Sequence, residues 1–366
     1  MNILISGGGT GGHIFPALSI ADALRRRYPD AEILFVGAEG KMEMEKVPAA
    51  GYRIEGLPVA GFYRRKWWKN FGVLIKLVRS LLKARRIVRD FAPDIAIGVG
   101  GYASGPTLKQ AQRRGVPTLI QEQNSYPGVT NRLLAAKAEK VCVAYDGLEK
   151  FFPAEKIVKT GNPMRKQLEQ CTLTREEAKR ELGFDPSRPL VLSVGGSLGA
   201  RTVNEAIAAS LPVLERLGVS LLWQTGNYGS EEFQAIAARY PSVSATRFIT
   251  RMDLAYRAAD LVVARAGAGT ISELQNLGKA CVLIPSPNVA EDHQRHNAEA
   301  LANAGAAMMI LDKDATLQLP STLQKLVGSP TLRSKLEQNI SAMAMHDADE
   351  RIANHVAEII ENHRKQ

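Results

Sequence analysis

The residues with the clearest chemical potential are glycines. Gly7-Gly8-Gly9-Thr10-Gly11-Gly12-His13 follows a short apolar run, Ile3–Ser6, and opens a helical stretch. Without a Cβ in the way, backbone N–H groups can close around a phosphate, and the helix behind them aims its positive end at the same anion. Gly7, Gly9 and Gly12 also satisfy the GxGxxG spacing of dinucleotide-binding folds, with Glu39 near the end of the second apolar run as the candidate ribose acid. Thr10, the additional glycines and His13 at the helix start go beyond that pattern. A tight turn needed only for packing is the alternative.

Gly195-Gly196-Ser197-Leu198-Gly199-Ala200 is a second loop of this kind, placed after the apolar run Leu190–Val194. A third small-residue stretch, Arg265-Ala266-Gly267-Ala268-Gly269-Thr270-Ile271-Ser272-Glu273, follows Leu261–Ala264. If the helix there runs from Thr270 to Leu277, Glu273 falls in its first turn. It is then either a capping carboxylate or a bidentate acceptor for two ribose hydroxyls. Glu291-Asp292-His293-Gln294-Arg295-His296-Asn297 is dense in hydrogen-bonding groups of the kind that recognise sugars. His293 and His296 are three apart, a possible ligand pair on a helix, but the sequence supplies no third ligand, so no metal is expected. Asp312-Lys313-Asp314 reads as a turn rather than a metal site.

These loops need strands and helices to hold them. Candidate strands in the first half are Ile3–Ser6, Ile33–Gly37, Asp94–Val99, Thr118–Gln121, Lys140–Ala144 and Ile157–Thr160. They alternate with candidate helices at Ile14–Tyr28, Lys41–Ala50, Val73–Phe91, Ser104–Arg114 and Thr130–Ala138. Fully apolar strands alternating with helices imply parallel sheets covered on both faces. The pattern restarts at Leu190–Val194 with a helix over Arg201–Leu217 and further strands at Ser220–Gln224, Thr246–Ile249, Asp260–Ala264 and Ala280–Pro285. A chain of 366 residues is longer than one core usually covers, so two domains are expected, with Gly161-Asn162-Pro163-Met164-Arg165 as the hinge.

The formal net charge is +10, and almost all of it is concentrated. Between Phe62 and Pro93 lie ten basic residues and one acid, Asp90. Phe62-Tyr63-Arg64-Arg65-Lys66-Trp67-Trp68-Lys69 leads into a helix on which Lys76, Arg79, Lys83 and Arg86 form one stripe and Leu74, Val78, Leu81 and Val88 another. Lys and Arg attract anionic headgroups and tryptophans settle at the interface, so Trp67, Trp68, Lys69 and the basic stripe are candidate membrane residues. No nucleic-acid module is recognisable. No stretch is long and apolar enough to span a bilayer, and the N-terminal run lacks the basic flank of a signal peptide. Cys142, Cys171 and Cys281 are sparse and unpaired in spacing, and read as core thiols.

Taken in order, Gly8–His13, Gly100-Gly101-Tyr102-Ala103-Ser104-Gly105-Pro106, Gln121-Glu122-Gln123-Asn124, Gly161–Arg165, Gly195–Ala200, Arg265–Glu273 and Asp292–Ala298 resemble the motifs of the MurG family of peptidoglycan N-acetylglucosaminyltransferases. The resemblance covers nearly the whole chain. It implies the GT-B fold: two Rossmann-like parallel-sheet α/β domains facing a cleft, with the C-terminal helix, His346–Arg364, returning to the N-terminal domain. It implies an acceptor-binding, membrane-associating domain at 1–163 plus 346–366 and a UDP-GlcNAc-binding domain at 164–345. The implied reaction moves N-acetylglucosamine from UDP-GlcNAc to C4 of MurNAc in undecaprenyl-diphospho-MurNAc-pentapeptide, with inversion, in peptidoglycan synthesis.

Carried over residue by residue, the resemblance gives Ile249 to uracil through its backbone and Glu273 to the ribose hydroxyls. It gives the diphosphate to Ser197 and to the backbone of Ala268, Gly269 and Thr270, with Ile271 and Ser272 in the same donor-binding run. Asn124 and Gln294 fall near the sugar hydroxyls, Arg165 closes the site, and Thr10, Gly11 and Gly12 lie where the acceptor diphosphate meets the donor. His293 stands where some members have a second glutamine, so no sugar contact is carried over to it. An inverting transfer also needs a base, and His13, whose unperturbed imidazole titrates at about pH 6.5, is the candidate for it or for positioning the acceptor. A helix-start histidine bonded only to the loop backbone is the alternative. No cofactor or metal is required on this reading. The partners are UDP-GlcNAc, the undecaprenyl-linked acceptor, an anionic membrane surface at the cytoplasmic face of the bacterial inner membrane, and other cell-wall synthesis proteins. Competing readings are a UDP-GlcNAc 2-epimerase or another lipid glycosyltransferase of the same fold, a NAD-dependent dehydrogenase, and a non-enzymatic membrane scaffold.

Overall fold

In a computed structural model of the chain the described residues are 1–59, 70–168, 170–196, 199–227 and 229–365; the side chains of residues 70, 71, 166 and 290 are also left undescribed. Two compact units result, Met1–Met164 with Met345–Gln366, and Arg165–Ala344.

The first unit alternates β1 (Asn2–Ser6), α1 (Gly11–Arg27), β2 (Glu32–Ala38), α2 (Glu43–Ala49), β3 (Arg53–Leu57), α3 (Asn70–Phe91), β4 (Ile95–Gly98), α4 (Ser104–Arg113), β5 (Thr118–Glu122), α5 (Val129–Ala135), β6 (Lys140–Val143) and β7 (Ile157–Lys159). Its seven strands are all parallel, in the order β3-β2-β1-β4-β5-β6-β7. Successive side chains of a strand point to opposite faces. Ile3 and Ile5, Ile33 and Phe35, and Ile95 and Ile97 accordingly enter one core, while Leu4, Leu34, Val36 and Ala96 enter another. Both faces are covered, which is why these strands read as unbroken apolar runs.

The second unit contains α6 (Arg175–Glu181), β8 (Leu190–Val194), α7 (Arg201–Arg216), β9 (Ser220–Gln224), α8 (Ser230–Ala237), β10 (Val243–Thr246), α9 (Met252–Ala258), β11 (Leu261–Ala264), α10 (Ala268–Asn276), β12 (Cys281–Leu283), α11 (His293–Asn303), β13 (Met308–Met309), α12 (Ala315–Val327) and α13 (Pro330–Ala342). Its six parallel strands run β10-β9-β8-β11-β12-β13. Trp223 is fully buried in this core, and its indole N–H is satisfied by Asn204 Oδ1 at 3.0 Å. The last helix, α14 (Ala348–Arg364), packs in the first unit, where Ile352, Ala353, Val356, Ile359 and Ile360 join Ile14, Ile20 and Leu24. Arg26 on α1 pairs with Asp349 and Glu350 at its start.

Several sequence expectations shift. The strand expected at Thr246–Ile249 ends at Thr246, and Phe248 and Ile249 lie in the loop beyond it. α10 begins at Ala268, two residues before Thr270, because the small residues after β11 can coil at once. Glu273 therefore sits in its second turn and caps nothing. The apolar stripe assigned to α3 does not face the core as a unit. Val73, Ala84, Ile87 and Val88 are buried, whereas Leu74 and Val78 are exposed with Ile75 and Leu82. Cys142 and Cys281 are buried, and Cys171 is only partly so.

Candidate active site

In each sheet the strand order reverses beside the first strand, between β1 and β4 in one unit and between β8 and β11 in the other. Loops leaving the carboxyl ends of strands at such a switch point form the ligand crevice of open α/β sheets. The glycine-rich segments lie at these two places.

In the first unit, β1 ends at Ser6 and the chain turns through Gly8 (φ +147°) and Gly9 (φ +89°) into α1, for which Thr10 is the N-cap. The loop after β4 packs onto this turn so closely that a Cβ on Gly101 would lie 2.3 Å from the Gly8 carbonyl oxygen. Ser104 holds the two together, its hydroxyl lying 2.6 Å from Ser6 O and 2.9 Å from Gly100 O. His13 Nδ1 lies 3.1 Å from the Gly8 carbonyl oxygen and 3.2 Å from Thr10 Oγ1. The Gly9 N–H, expected to face an anion, is taken instead by the buried carboxylate of Glu43. Gly11 and Gly12 stand at the first two positions of α1, where amides have no intrahelical acceptor.

The loop after β5 is braced by a second buried carboxylate. Glu122 accepts from the Asn124 amide and side chain, from the Gly128 N–H and from Asn131 Nδ2, at 2.9–3.2 Å. Burial pushes its carboxyl above the ordinary range, against the pull of those four donors. Asn124 is thereby fixed, half-buried. Glu39, the candidate ribose acid of the dinucleotide pattern, is paired with Lys83 at 3.0 Å, which also takes Lys83 partly out of the basic stripe.

In the second unit the loop after β8 is drawn in at Gly199 (φ +82°), where a Cβ would meet the Thr225 carbonyl at 2.3 Å. Ser197 lies outside the described residues, as do Trp67, Trp68 and Lys69. Gln224, at the end of β9, bridges two loops: its Nε2 donates to Gly196 O at 3.1 Å and its Oε1 accepts from the Ile249 N–H at 3.0 Å. The Ile249 N–H is thus already taken within the unit. α10 opens with Ala268, Gly269 and Thr270, whose amides have no intrahelical acceptor.

Glu273 is 8% exposed and takes donors on both oxygens. Arg165 Nε and Nη2 reach Oε1 at 3.0 and 2.7 Å, and the Tyr256 hydroxyl reaches Oε2 at 3.0 Å. Burial, with the Glu273 charge beside it, drives the Tyr256 phenol well above its ordinary pKa, so it stays a donor. Gln294 lies in the first turn of α11, and its Oε1 accepts from the Ser286 N–H at 2.9 Å. Asp312 is engaged by Arg265 and Thr202. Among the described residues no cluster of three or more His, Cys, Asp or Glu side chains could hold a metal.

Residues 3–143 match the Glycosyltransferase family 28 N-terminal domain, and residues 190–355 the Glycosyltransferase family 28 C-terminal domain. A protein from Parabacteroides distasonis, named UDP-N-acetylglucosamine–N-acetylmuramyl-(pentapeptide) pyrophosphoryl-undecaprenol N-acetylglucosamine transferase, is 55% identical over 98% of both chains. The chain belongs to glycosyltransferase family 28. A relative of the same name from Porphyromonas gingivalis is 53% identical over 100% of this chain and 97% of its own. Among solved structures, Acinetobacter baumannii MurG superposes with a TM-score of 0.78 at 28% identity, covering 98% of this chain and 99% of that one. The UDP-GlcNAc 2-epimerase of Neisseria meningitidis, with a TM-score of 0.70 at 14% identity over 98% of this chain and all of its own, shares the fold alone.

Family membership replaces the dinucleotide reading of the first loop and its acid Glu39. Three residues at these sites had no role in the sequence reading. Glu43 gave no signal, because its partner Gly9 is 34 positions away. Gln224 looked like an ordinary strand end, and Tyr256 fell in no expected element.

Proposed function

We propose that the chain transfers N-acetylglucosamine from UDP-GlcNAc to the C4 hydroxyl of MurNAc in undecaprenyl-diphospho-MurNAc-pentapeptide, with inversion at the donor carbon. The assignment as an N-acetylglucosaminyltransferase of peptidoglycan synthesis is carried by near-full-length relatives of that name. For the site residues, the supporting observation is Glu273. A buried carboxylate with Tyr256 on one oxygen and two N–H donors on the other is shaped to accept two adjacent hydroxyls, such as those of a ribose. On this reading Arg165 holds the place of the ribose until the donor arrives. The Ile249 carbonyl accepts the N3–H of uracil, and the first amides of α10, with Ser197, meet the diphosphate.

In the transfer, the acceptor oxygen bonds to C1 of the sugar as the C1–O bond to UDP breaks, and its electron pair leaves with the phosphate. The hydroxyl proton passes to Nε2 of His13. Asn124 and Gln294 bind sugar hydroxyls, and Thr10, Gly11 and Gly12 receive the acceptor diphosphate. Charge on the leaving group is met by main-chain dipoles, so turnover survives a chelator; loss with EDTA and return with Mg²⁺ would contradict this.

No helix among the described residues is long and apolar enough to cross a membrane. α3 instead exposes Leu74, Ile75, Val78 and Leu82 between Lys76, Arg79 and Arg86. This supports peripheral attachment to an anionic bilayer; the cytoplasmic face of the inner membrane and other cell-wall synthesis proteins are part of the proposal through the reaction alone.

The test is the full chain with UDP-GlcNAc and a short-chain lipid-linked acceptor, scored for β-linked disaccharide. Product is expected, and His13→Ala should lower kcat on the order of a hundredfold with the donor KM unchanged. Retained kcat would move the base elsewhere. Epimerised sugar formed without acceptor would favour the epimerase reading.

A further inference from the structure

Glu43, the first residue of α2, is 1% exposed and lies beneath the first glycine loop. Its Oε1 accepts from the Ala38 N–H at 2.9 Å, and both oxygens lie 3.0 Å from the Gly9 nitrogen. Two glycines make room for it. A Cβ on Gly8 would fall 2.1 Å from Oε1, and one on Gly37 would fall 2.6 Å from Cγ. A buried carboxylate costs several kcal/mol in desolvation unless its donors are well placed. A packing role alone would be served better by an apolar side chain.

The peptide unit that donates to Glu43 also faces His13. Its N–H belongs to Gly9 and its C=O to Gly8, and that carbonyl oxygen lies 3.1 Å from His13 Nδ1. A carbonyl oxygen only accepts, so this contact requires the proton on Nδ1 and puts the lone pair on Nε2. There is a rival arrangement. Thr10 Oγ1 is 3.2 Å from the same Nδ1, and a hydroxyl can donate to it, which would place the ring proton on Nε2. A carboxylate on the N–H end of the peptide polarises the amide and makes its oxygen the stronger acceptor. That tips the choice toward Nδ1–H.

We propose that Glu43 is a positioning residue that sets the tautomer of His13, acting through the Gly8–Gly9 peptide bond. The contact chain is carboxylate, amide, imidazole. The backbone unit stands where a directly bonded carboxylate orients the histidine of a serine-protease triad or of a metal site. The same bonds hold Gly8 and Gly9 in their left-handed turn, so the loop geometry and the imidazole proton have one source. Glu43 touches no substrate in this scheme. The inference rests on the reading of His13 as the acceptor's base for its catalytic consequence, but not for the tautomer itself.

The experiment uses full-length chain labelled with ¹⁵N-histidine, with ring-nitrogen shifts read for wild type, Glu43→Gln and Glu43→Gln/Thr10→Val, and His13→Ala to assign the signal. Wild type should show His13 protonated at Nδ1. Glu43→Gln, nearly equal in volume, should move His13 toward Nε2–H, and removing the Thr10 hydroxyl in the double variant should return it. In parallel, kcat of Glu43→Gln should fall roughly ten- to a hundredfold, while the KM for UDP-GlcNAc stays unchanged and reports an intact second unit. An unchanged His13 tautomer in Glu43→Gln overturns the proposal, whatever happens to kcat. A shifted tautomer with full kcat upholds the positioning role and removes His13 as the base, so the two readings fail separately.

Discussion

Both units begin with a strand, a glycine turn and a helix, and both place a buried carboxylate near the reversal of their strand order, but the two carboxylates are held differently. Glu43 is bound by main-chain amides of Ala38 and Gly9. Glu273 is bound by side chains, the Arg165 guanidinium and the Tyr256 hydroxyl. Main-chain donors cannot leave without unfolding their turn. A guanidinium at the end of a flexible stem can swing aside at the cost of a rotamer change. The first carboxylate is therefore a fixture that shapes a loop, and the second can exchange its partner for a ligand's hydroxyls. A motif of glycines thus does not say what a unit binds; the partners of the nearest buried charge do.

Breaking the exchangeable carboxylate should have the largest effect. Glu273→Ala leaves Arg165 and Tyr256 without their acceptor and should lower kcat/KM for UDP-GlcNAc about a thousandfold, with the KM for the acceptor little changed. Steady-state kinetics with each substrate varied in turn measures this. Equal losses on both substrates would erase the distinction between the units.

Next comes the exposed face of α3. Replacing Lys76, Arg79 and Arg86 together by Glu should lower partitioning onto anionic vesicles at least about a hundredfold, at roughly 1 kcal/mol for each basic residue. Activity on a soluble, short-chain acceptor should be unaffected. Vesicle sedimentation that did not change would remove the membrane assignment and leave the transferase intact.

A smaller effect concerns the scaffold of the second unit alone. Burial raises the Asp260 carboxyl, but the salt bridge from Lys179, the Leu190 N–H and Arg175 outweigh it, so the group titrates below its ordinary range. A depressed carboxyl contributes stability above its unfolded pKa and loses it as pH falls through the folded value. Asp260→Asn should cost about 2 kcal/mol at pH 7 by urea denaturation, with the gap to wild type closing as the pH is lowered below about 4. A gap that is constant with pH would contradict the linkage.

The smallest effect separates the two oxygens of Glu273. Tyr256→Phe removes one neutral hydrogen bond and should raise the donor KM about fivefold, leaving kcat near wild type. A change as large as that of Glu273→Ala would mean that ribose binding depends on the Tyr256 hydroxyl as much as on the carboxylate it holds.

Much of this was legible in the sequence because the sheets are covered on both faces. Strands such as β1 and β8 are apolar but for Asn2, Ser6 and Ser193, and the glycines that follow mark their ends. β3 was missed: Arg53-Ile54-Glu55-Gly56-Leu57 is an edge strand, exposed or half-exposed over its first three residues, and carries no apolar run. β13, with two residues, is too short to have a pattern. Glu273 stood out because small residues precede it, although its helix begins earlier than its composition suggested. Glu43 was invisible, since parallel pairing of β1 with β2 is what brings the turn after β2 beneath the turn after β1. Local sequence cannot announce a hydrogen bond that exists only once two strands are in register.

The most direct measurement is a crystal structure of the full chain with UDP. The expected result is uracil at the Ile249 carbonyl, the ribose hydroxyls on Glu273 with Arg165 displaced from it, and Glu43 still bound to the Gly9 N–H. UDP seated on the Gly7–Gly12 loop, with Arg165 still paired to Glu273, would contradict the account.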